Sequence, residues 1–390
     1  MQPRLKSGVR RLSWTTVNGN YHGMKLTFTM LATAALVAGC NATQAPTTPG
    51  TSSWASQTSA AGGGGMDKLV AAARSEGELN LIALPRDWAN YGAIIDAFKS
   101  KYGIKVTVAD PNGNSQDEVD AVTKLRKSQS APDVLDLSLK SAMANPTLFS
   151  PYQVEVWGDI PTAQKNSIGL WYEDYGGYMS IGFDSAKVPA IMVVDDLLKP
   201  DYKGRVALKA DPAVDSSALG AIVMISLAEG GSLDDIGPGV DFFHQLKLKG
   251  NFLSTAHATM TTVKAGQTPV VLDWEYLSRA HTTDVSTWKV VVPADAVVGG
   301  YYAQAISKYA PHPAAARLWE EFVYSDDGQN LWLRAGDRPV RMQAMQDAGH
   351  IDAAAAAAMP SVLGNPMFLT PDQEAAALKY LSTHWAKAIS

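Results

Sequence analysis

Apolar positions along the chain switch between the spacing of strands and the spacing of helices from residue 66 onward. Residues 78–84 alternate between polar and apolar positions and end in an apolar run, which predicts a first strand. The apolar spacing over 94–102 predicts a helix, and the short runs 105–109 and 133–137 predict the next two strands. This order of strand, helix and strand predicts an α/β body with a largely parallel sheet.

A second unit of the same kind follows later in the chain. Residues 205–209 and 269–273 predict strands, and 218–228, which are apolar on nearly every face, predict a buried helix. A further strand is expected at 289–292, and the pattern from 313 onward is mainly helical. Two α/β units joined by extended segments predict two lobes that face each other across a cleft.

The first forty residues carry the pattern of an export signal. Lys25 precedes an uncharged, mostly apolar run at 26–38, which is too short to span a bilayer and has the length of a signal-peptide core. The run ends in the sequence VAGC at 37–40, and Cys40 is the only cysteine in the sequence. Small residues before a cysteine at this position resemble the bacterial lipobox, in which the thiol is acylated and the chain is cleaved just before it.

The expected product is therefore a lipid-anchored body outside the cytoplasmic membrane. Residues 1–39 are assigned to a signal peptide, with Met24 as an alternative start of translation. Residues 40–65 are assigned to the lipid anchor at Cys40 and a flexible linker. The linker assignment follows from a content of Ser, Thr, Ala, Pro and Gly that offers little apolar surface to bury.

Composition and charge argue against several classes of function. A net charge of −5 leaves no basic stripe for nucleic acid. The histidines of the body are scattered without metal-ligand spacing and no cysteine remains there, so neither a metal site nor a cofactor is expected. No nucleophile elbow, metalloprotease motif or phosphate loop occurs, so the chain is not expected to be an enzyme. An extracytoplasmic enzyme with an unmarked site is the alternative of another class.

Candidate ligand-binding residues lie where predicted strands end and helices begin. Ligands of open α/β sheets bind beyond the carboxyl ends of strands, and aromatic plates beside polar groups suit a small charged ligand. The residues in these loops are Trp88, Asn90, Tyr91, Gln116, Ser216, Ser217, Asp273, Trp274, Glu275 and Tyr276. Tyr172 and Tyr302 join them because they lie beside the segments expected to connect the two lobes.

Two of these groups allow a second interpretation. Ser216 and Ser217 either cap the following helix or offer free backbone N–H groups to an anion such as a carboxylate or phosphonate. Tyr172 belongs to an aromatic run at 171–175, which either forms a wall of the cleft or packs at a hinge.

Several motifs in a fixed order resemble one family of binding proteins. They are LPRDWANY at 84–91, APDVLD at 131–136, LLKPDYKGRV at 197–206, KAG at 264–266 and HPAAARLW at 312–319. Together they resemble the type II extracellular solute-binding proteins of ABC importers, in the branch that contains ferric-iron, thiamine, polyamine and aminophosphonate binders. The resemblance extends from residue 66 to the C terminus.

This resemblance implies a discontinuous first lobe, a hinge and a role in transport. Lobe 1 would comprise 66–182 and 299–390, and lobe 2 would comprise 183–298, with two hinge crossings between them. Proteins of this family close on a small-molecule solute and deliver it to a membrane permease powered by a cytoplasmic ATPase. A monomer is expected, held at the membrane through Cys40.

The loop at 273–276, with the sequence DWEY, bears on the choice of solute. Ferric binders of this branch usually supply adjacent tyrosines here, whereas this loop has one tyrosine. A tryptophan between two carboxylates suits an amine, so a polyamine, thiamine or an amino-acid-like compound is the expected ligand. Ferric iron is the alternative, with the adjacent pair Tyr301 and Tyr302 either lining the cleft or packing at the hinge.

Overall fold

Helices and strands alternate through residues 54–390, the part of the chain that this computed structural model describes. The helices are α1 (Met66–Glu76), α2 (Tyr91–Tyr102), α3 (Ser115–Leu125), α4 (Leu139–Ala144), α5 (Ser216–Ala228), α6 (Gly237–Lys249), α7 (Met260–Lys264), α8 (Glu275–Ala280), α9 (Pro313–Val323), α10 (Asp326–Ala335), α11 (Met342–Ala348), α12 (Ala353–Ala357) and α13 (Pro371–Ala388). The strands are β1 (Glu78–Ile82), β2 (Lys105–Ala109), β3 (Val134–Ser138), β4 (Phe149–Ser150), β5 (Tyr172–Asp184), β6 (Val206–Leu208), β7 (Val270–Trp274), β8 (Trp288–Val291), β9 (Val298–Ser307), β10 (Arg338–Pro339) and β11 (Met367–Phe368).

The long strand β5 belongs to two sheets. Its first part, 172–178, pairs antiparallel with β9, and its second part, 179–184, pairs antiparallel with β7 and β8. β3 and β4 lie beside β9 in the first sheet, whereas β6 lies parallel to β7 in the second. The sheets are therefore mixed rather than largely parallel, because the strand that joins them runs antiparallel to its neighbours.

Two hydrophobic cores lie on either side of this crossing. The first is built around α2, α9 and α10 and contains the fully buried Trp319 and Trp332. The second is built around α5 and α6, and α5 is buried on nearly every face, as its apolar sequence predicts. β9 joins the cores a second time, because Val298 at its start packs in the second core and Ile306 near its end packs in the first.

The C-terminal helix α13 packs in the second core, although the sequence assigned all of 299–390 to the first lobe. Trp385 of α13 lies against Phe243 and Phe252, with ring centroids 5.3 and 6.0 Å apart. Ala377 and Leu381 are buried in the same core. Helical periodicity reveals that α13 has an apolar face, but it does not reveal which core covers that face.

Part of the expected flexible linker, 40–65, is instead packed as an N-terminal arm at 54–65. The Trp54 side chain is 5% exposed and Ala60 is 1% exposed, and both belong to the first core. The Arg317 guanidinium donates to the carbonyls of Ala55 and Gln57. The linker assignment rested on average composition, which did not show that Trp54 is a large apolar side chain able to anchor the arm in the first core. The predicted signal peptide at 1–39 and the predicted lipid site at Cys40 lie outside the described residues.

Replacing Trp54 with alanine is expected to lower the free energy of unfolding by about 3 kcal/mol, because a large buried ring is lost. The indole lies on the backbone at Gly63, where a Cβ atom would be 2.2 Å from Cη2, so the ring fits closely against the arm. Urea denaturation measures the change. The control Met192→Ala removes a side chain that is 69% exposed. If both variants lose equally little stability, the arm is not packed against the first core in solution.

Candidate functional site

A cavity of about 470 Å³ lies between the two cores. Its walls come from β5 and β9, from the first residues of α4, α5, α8 and α13, and from the loop before α2. The principal lining residues are Trp88, Lys140, Glu173, Lys209, Ser216, Ser217, Trp274, Tyr276, Tyr301, Tyr302, Phe368 and Glu374. Because both cores contribute residues to these walls, a molecule in the cavity would touch both sides of the crossing strands.

The cavity brings together residues from separate loops that the sequence singled out. Those that line it are Trp88, Ser216, Ser217, Trp274, Tyr276 and Tyr302. Trp88 packs at the edge of the first core and Trp274 at the edge of the second, so the cavity has an aromatic residue from each side.

Trp274 reaches the cavity because glycines leave room for its ring. A Cβ atom at Gly300 of β9 would lie 2.6 Å from Cη2 of Trp274, and one at Gly220 of α5 would lie 3.4 Å from Cζ2. The indole therefore lies against a strand and a helix at once. Its fixed position makes it a rigid aromatic wall rather than a mobile side chain.

Trp88 forms an aromatic cluster on the first-core side of the cavity. Its Nε1 atom donates to the Tyr175 hydroxyl at 2.9 Å. Its ring makes edge contacts with Tyr276 and Tyr302, with centroids 6.4 and 6.3 Å apart. Because Tyr276 belongs to α8 beyond the second sheet, this cluster joins the two sides of the cavity.

Asn90 and Tyr91 do not line the cavity. The Asn90 amide donates to the Leu331 carbonyl at 2.7 Å. The Tyr91 side chain is fully buried, and its hydroxyl donates to Asp136 at 2.6 Å. Asn90 and Tyr91 lie at the start of α2, and their hydrogen bonds to first-lobe residues hold the loop that carries Trp88 in place.

Gln116 and Tyr172 also lie away from the cavity. The Gln116 amide is on the exposed side of α3 and donates to Asp120 at 2.8 Å. The Tyr172 ring is buried against Tyr324, with centroids 4.7 Å apart. Tyr172 therefore packs in the first core and does not form a wall of the cavity.

The carboxylates expected to hold an amine, Asp273 and Glu275, are both engaged within the protein. Asp273 is 5% exposed and accepts from the Ser217 hydroxyl and the Trp274 N–H. Glu275 is fully buried in an ion pair with Arg338, whose Nη2 atom lies 3.0 Å from Oε2. Burial raises the pKa of the Glu275 carboxyl, and the hydrogen bond and charge of Arg338 offset part of that rise. Neither carboxylate forms part of the cavity wall.

The helix α5 is capped by Asp215 rather than by a serine. The Asp215 carboxylate accepts from the Ala218 N–H at 2.8 Å. Ser216 and Ser217 occupy the first turn and face the cavity, near Lys209 in the same wall. The prediction that Ser216 or Ser217 caps the helix is therefore wrong, and the first turn of α5 lies beside the cavity.

Glu173 is one of several cavity residues that the sequence analysis missed, with Lys140, Lys209, Phe368 and Glu374. Glu173 is 2% exposed, and the Gln164 amide donates to it at 2.6 Å. Burial raises the pKa of its carboxyl to about 7, although the Gln164 hydrogen bond lowers it. Successive residues of a strand point to opposite faces, so an inward Tyr172 places Glu173 on the other face. This alternation within the run 171–175 could have indicated Glu173 as a cavity residue.

Two mixed sheets joined by crossing strands, with a cavity between two cores, define a two-lobe binding protein. The sequence matches the family model described as bacterial extracellular solute-binding protein over residues 130–365. The chain therefore belongs to this family. No match was found among curated proteins.

Solved structures share the fold at low sequence identity. A proposed extracellular solute-binding protein from Bordetella parapertussis has a TM-score of 0.64 and 13% identity, covering 81% of this chain and 100% of the other. Iron-bound HitA from Pseudomonas aeruginosa has a TM-score of 0.59 and 19% identity, covering 80% and 99%. AgtB from A. tumefaciens R10, in complex with agropinic acid, has a TM-score of 0.57 and 16% identity, covering 80% and 98%.

The fold is thus the two-lobe type II periplasmic-binding-protein fold. The family assignment makes the chain an extracytoplasmic solute-binding protein of the ABC-transporter type, a class whose members deliver a ligand to a permease. The lobes are called first and second after the cores that they contain. Within residues 54–390, no helix is long and apolar enough to cross a membrane.

Proposed function

We propose that this receptor captures a small amine-bearing organic solute in the cavity between its lobes. The observation that carries the proposal is Glu173, a buried carboxylate in a cavity wall that also holds Trp88, Trp274 and Tyr301. Polyamines, thiamine and amino-acid-like compounds belong to this solute class. The solute would pass to an ABC permease driven by a cytoplasmic ATPase.

A buried carboxylate without a cationic partner favours binding of a positive charge. Desolvation opposes ionisation of Glu173, and the neutral Gln164 amide cannot supply a balancing charge. An ammonium group in the cavity would supply that charge, and the rings of Trp274 and Tyr301 could add cation–π contacts. Glu173 thus takes the role that the sequence gave to Asp273 and Glu275.

An amino-acid-like solute would also use the second-lobe wall. An acidic group would meet Lys209 and the first turn of α5 at Ser216 and Ser217 there, with the charge of Lys209 set against that of the capping Asp215 in the same wall. Glu173 lies in β5 on the first-lobe side of the crossing. A solute with an amine at one end and an acidic group at the other would therefore contact both lobes, which is the condition for ligand-driven closure.

The crossing strands are suited to act as the hinge. A Cβ atom at Gly176 of β5 would lie 2.2 Å from the Gly300 carbonyl oxygen of β9, so these two paired strands lie in close contact where they pass between the lobes. Gly177 and Gly299 flank this point. We infer that closure bends β5 and β9 here, with lobe boundaries near 182 and 299 as the sequence predicted, while α13 moves with the second lobe.

Attachment to the membrane is part of the same proposal. A lipid on Cys40, after cleavage of a signal peptide at 1–39, would tether a monomeric receptor beside its permease. The packed arm at 54–65 would then fix the first lobe to the end of the tether.

Ferric iron is the second candidate, because Tyr276, Tyr301 and Tyr302 all line the cavity. Iron would bind them as phenolates, but burial raises the pKa of Tyr276 and Tyr301 well above the ordinary tyrosine value. Tyr302 is also stacked on Tyr175, with centroids 5.5 Å apart. These contacts favour an organic solute.

A thermal-shift screen tests the proposal. The full chain is heated with putrescine, spermidine, thiamine, glutamate, lysine, an aminophosphonate or ferric citrate. A ligand present at about 100 times its dissociation constant adds about 2.7 kcal/mol of stability, a shift of a few degrees for a chain of this size. We expect a shift with one amine-bearing solute. A shift with ferric citrate alone would replace the proposal with the iron alternative.

A further inference from the structure

A C-terminal segment at 367–374 adds a wall to the cavity that the main α/β units do not supply. β11 pairs parallel with the start of β9, and α13 then packs in the second core. Among the cavity-lining residues, those from this segment are Phe368, Leu369, Pro371 and Glu374. The family match ends at residue 365, so this wall lies beyond the matched region.

Phe368 is built closely into this wall. A Cβ atom at Gly299 would lie 2.3 Å from Cε1 of Phe368, so the phenyl ring rests directly on the β9 backbone. Its ring centroid is 6.1 Å from that of Tyr301. Phe368 therefore extends the aromatic surface beside Tyr301 and limits the length of the cavity at this end.

Glu374 connects the same wall to the other lobe. Its carboxylate lies 3.0 Å from Nζ of Lys140, and the two side chains are 27% and 46% exposed. Lys140 belongs to α4, which packs against β3 and β9 of the first lobe, whereas Glu374 belongs to α13 on the second. Both residues line the cavity, so this pair spans its solvent-facing rim.

We propose that the segment 367–374 is a specificity wall of the solute site, with Phe368 limiting solute size and the Lys140–Glu374 pair restraining access at the rim. The selection of a solute rests on the function proposed above. The restraint on access does not, because it can be measured without any solute.

The ligand-free test uses a single thiol inside the cavity. Ser217 lines the cavity and is 3% exposed, and Cys40 is the only native cysteine. The full chain carrying Cys40→Ser and Ser217→Cys is therefore modified by the thiol reagent DTNB at that one position. We expect Glu374→Gln to raise the modification rate about 2- to 5-fold, as the loss of a partly exposed ion pair allows.

Two matched variants control this experiment. Asp372→Asn removes a carboxylate from the same first turn of α13 without touching the cavity lining, and Leu363→Ala shortens an apolar side chain that is 83% exposed. Neither should change the rate. The effect of Glu374→Gln should vanish in about 1 M salt, where the ion pair is screened. Equal rates in Glu374→Gln and Asp372→Asn at low salt would overturn the rim restraint.

The solute test uses Phe368→Ala against putrescine, spermidine and thiamine. We expect affinity for the solute preferred by the wild type to fall about 3- to 10-fold, as the loss of an aromatic contact implies, with bulkier solutes losing less. An affinity profile identical to that of Leu363→Ala would overturn the specificity role. If the wild type binds no solute, the proposed function fails, while the thiol experiment still decides whether the wall restrains access.

Discussion

Replacing Arg338 with methionine is expected to lower the free energy of unfolding by about 3–5 kcal/mol, because Glu275 is left as an unpaired buried charge. Arg338 is 7% exposed and Glu275 is fully buried. The guanidinium also donates to the Pro360 carbonyl at 2.6 Å and lies 5.1 Å from the Tyr178 ring centroid. One side chain thus joins α8 of the second lobe to the crossing strand β5 and to the loop at Pro360.

Urea denaturation of three variants checks this expectation. Arg334→Met breaks a more exposed pair with Asp352, whose Nε–Oδ2 distance is 2.7 Å, and should change stability by less than about 1 kcal/mol. The double variant Arg338→Met with Glu275→Gln removes both charges and should recover part of the loss. If Arg338→Met loses no more stability than Arg334→Met, the ion pair between Arg338 and Glu275 is not buried in solution.

The stability of the protein is expected to fall as the pH rises from about 5 to about 8, because burial raises the pKa of several carboxyls to about 7. For Glu173, the folded-state pKa lies above the ordinary value of 4.5, so the folded protein holds this proton more tightly than the unfolded chain. That contribution is complete below the unfolded value and is lost as the pH passes through 7. Glu173→Gln should remove about 2 kcal/mol of the fall, measured by urea denaturation at both pH values.

Solute affinity is expected to change in the opposite direction. A permanently charged amine binds the ionised form of Glu173, so its affinity should rise by up to about tenfold per pH unit below the pKa. Glu173→Gln should weaken binding and abolish this pH dependence. Calorimetric titration at several pH values measures both effects.

Glu321 provides a matched control for both measurements. Burial also raises the pKa of its carboxyl to about 7, but it accepts from the Tyr152 hydroxyl in the first core and does not line the cavity. Glu321→Gln should therefore reduce the pH dependence of stability without changing the pH dependence of binding. An amine affinity that is independent of pH in the wild type would contradict the role of Glu173.

The sequence predicted the elements whose apolar pattern is determined locally. The all-apolar stretch at 218–228 predicted a buried helix, and α5 is that helix. The motifs along the chain predicted the two-lobe fold, which the similarity to solved structures confirms. Trp88 follows the end of β1 and Trp274 is the last residue of β7, so both lie where the topology of α/β sheets places ligands, and both line the cavity.

Long-range partners could not be predicted from the sequence. Glu275 beside Trp274 suggested an amine site, but its charge is taken by Arg338, which lies 63 residues later in the chain. Glu173, the buried carboxylate in the cavity wall, lies within an aromatic run of the sequence that drew attention to its neighbours instead. The packing of Trp54 and of α13 depends on which distant surfaces remain uncovered, and periodicity carries no information about that.

Calorimetric titration of the full chain with the solute that gives the largest thermal shift tests the central claim most directly. The account predicts saturable binding that Trp274→Ala weakens at least about tenfold, because a rigid wall of the cavity is lost. Trp157→Ala, which removes a tryptophan that does not line the cavity, should leave the affinity unchanged. No saturable binding of any amine-bearing solute, or equal affinity in the wild type and Trp274→Ala, would contradict the account.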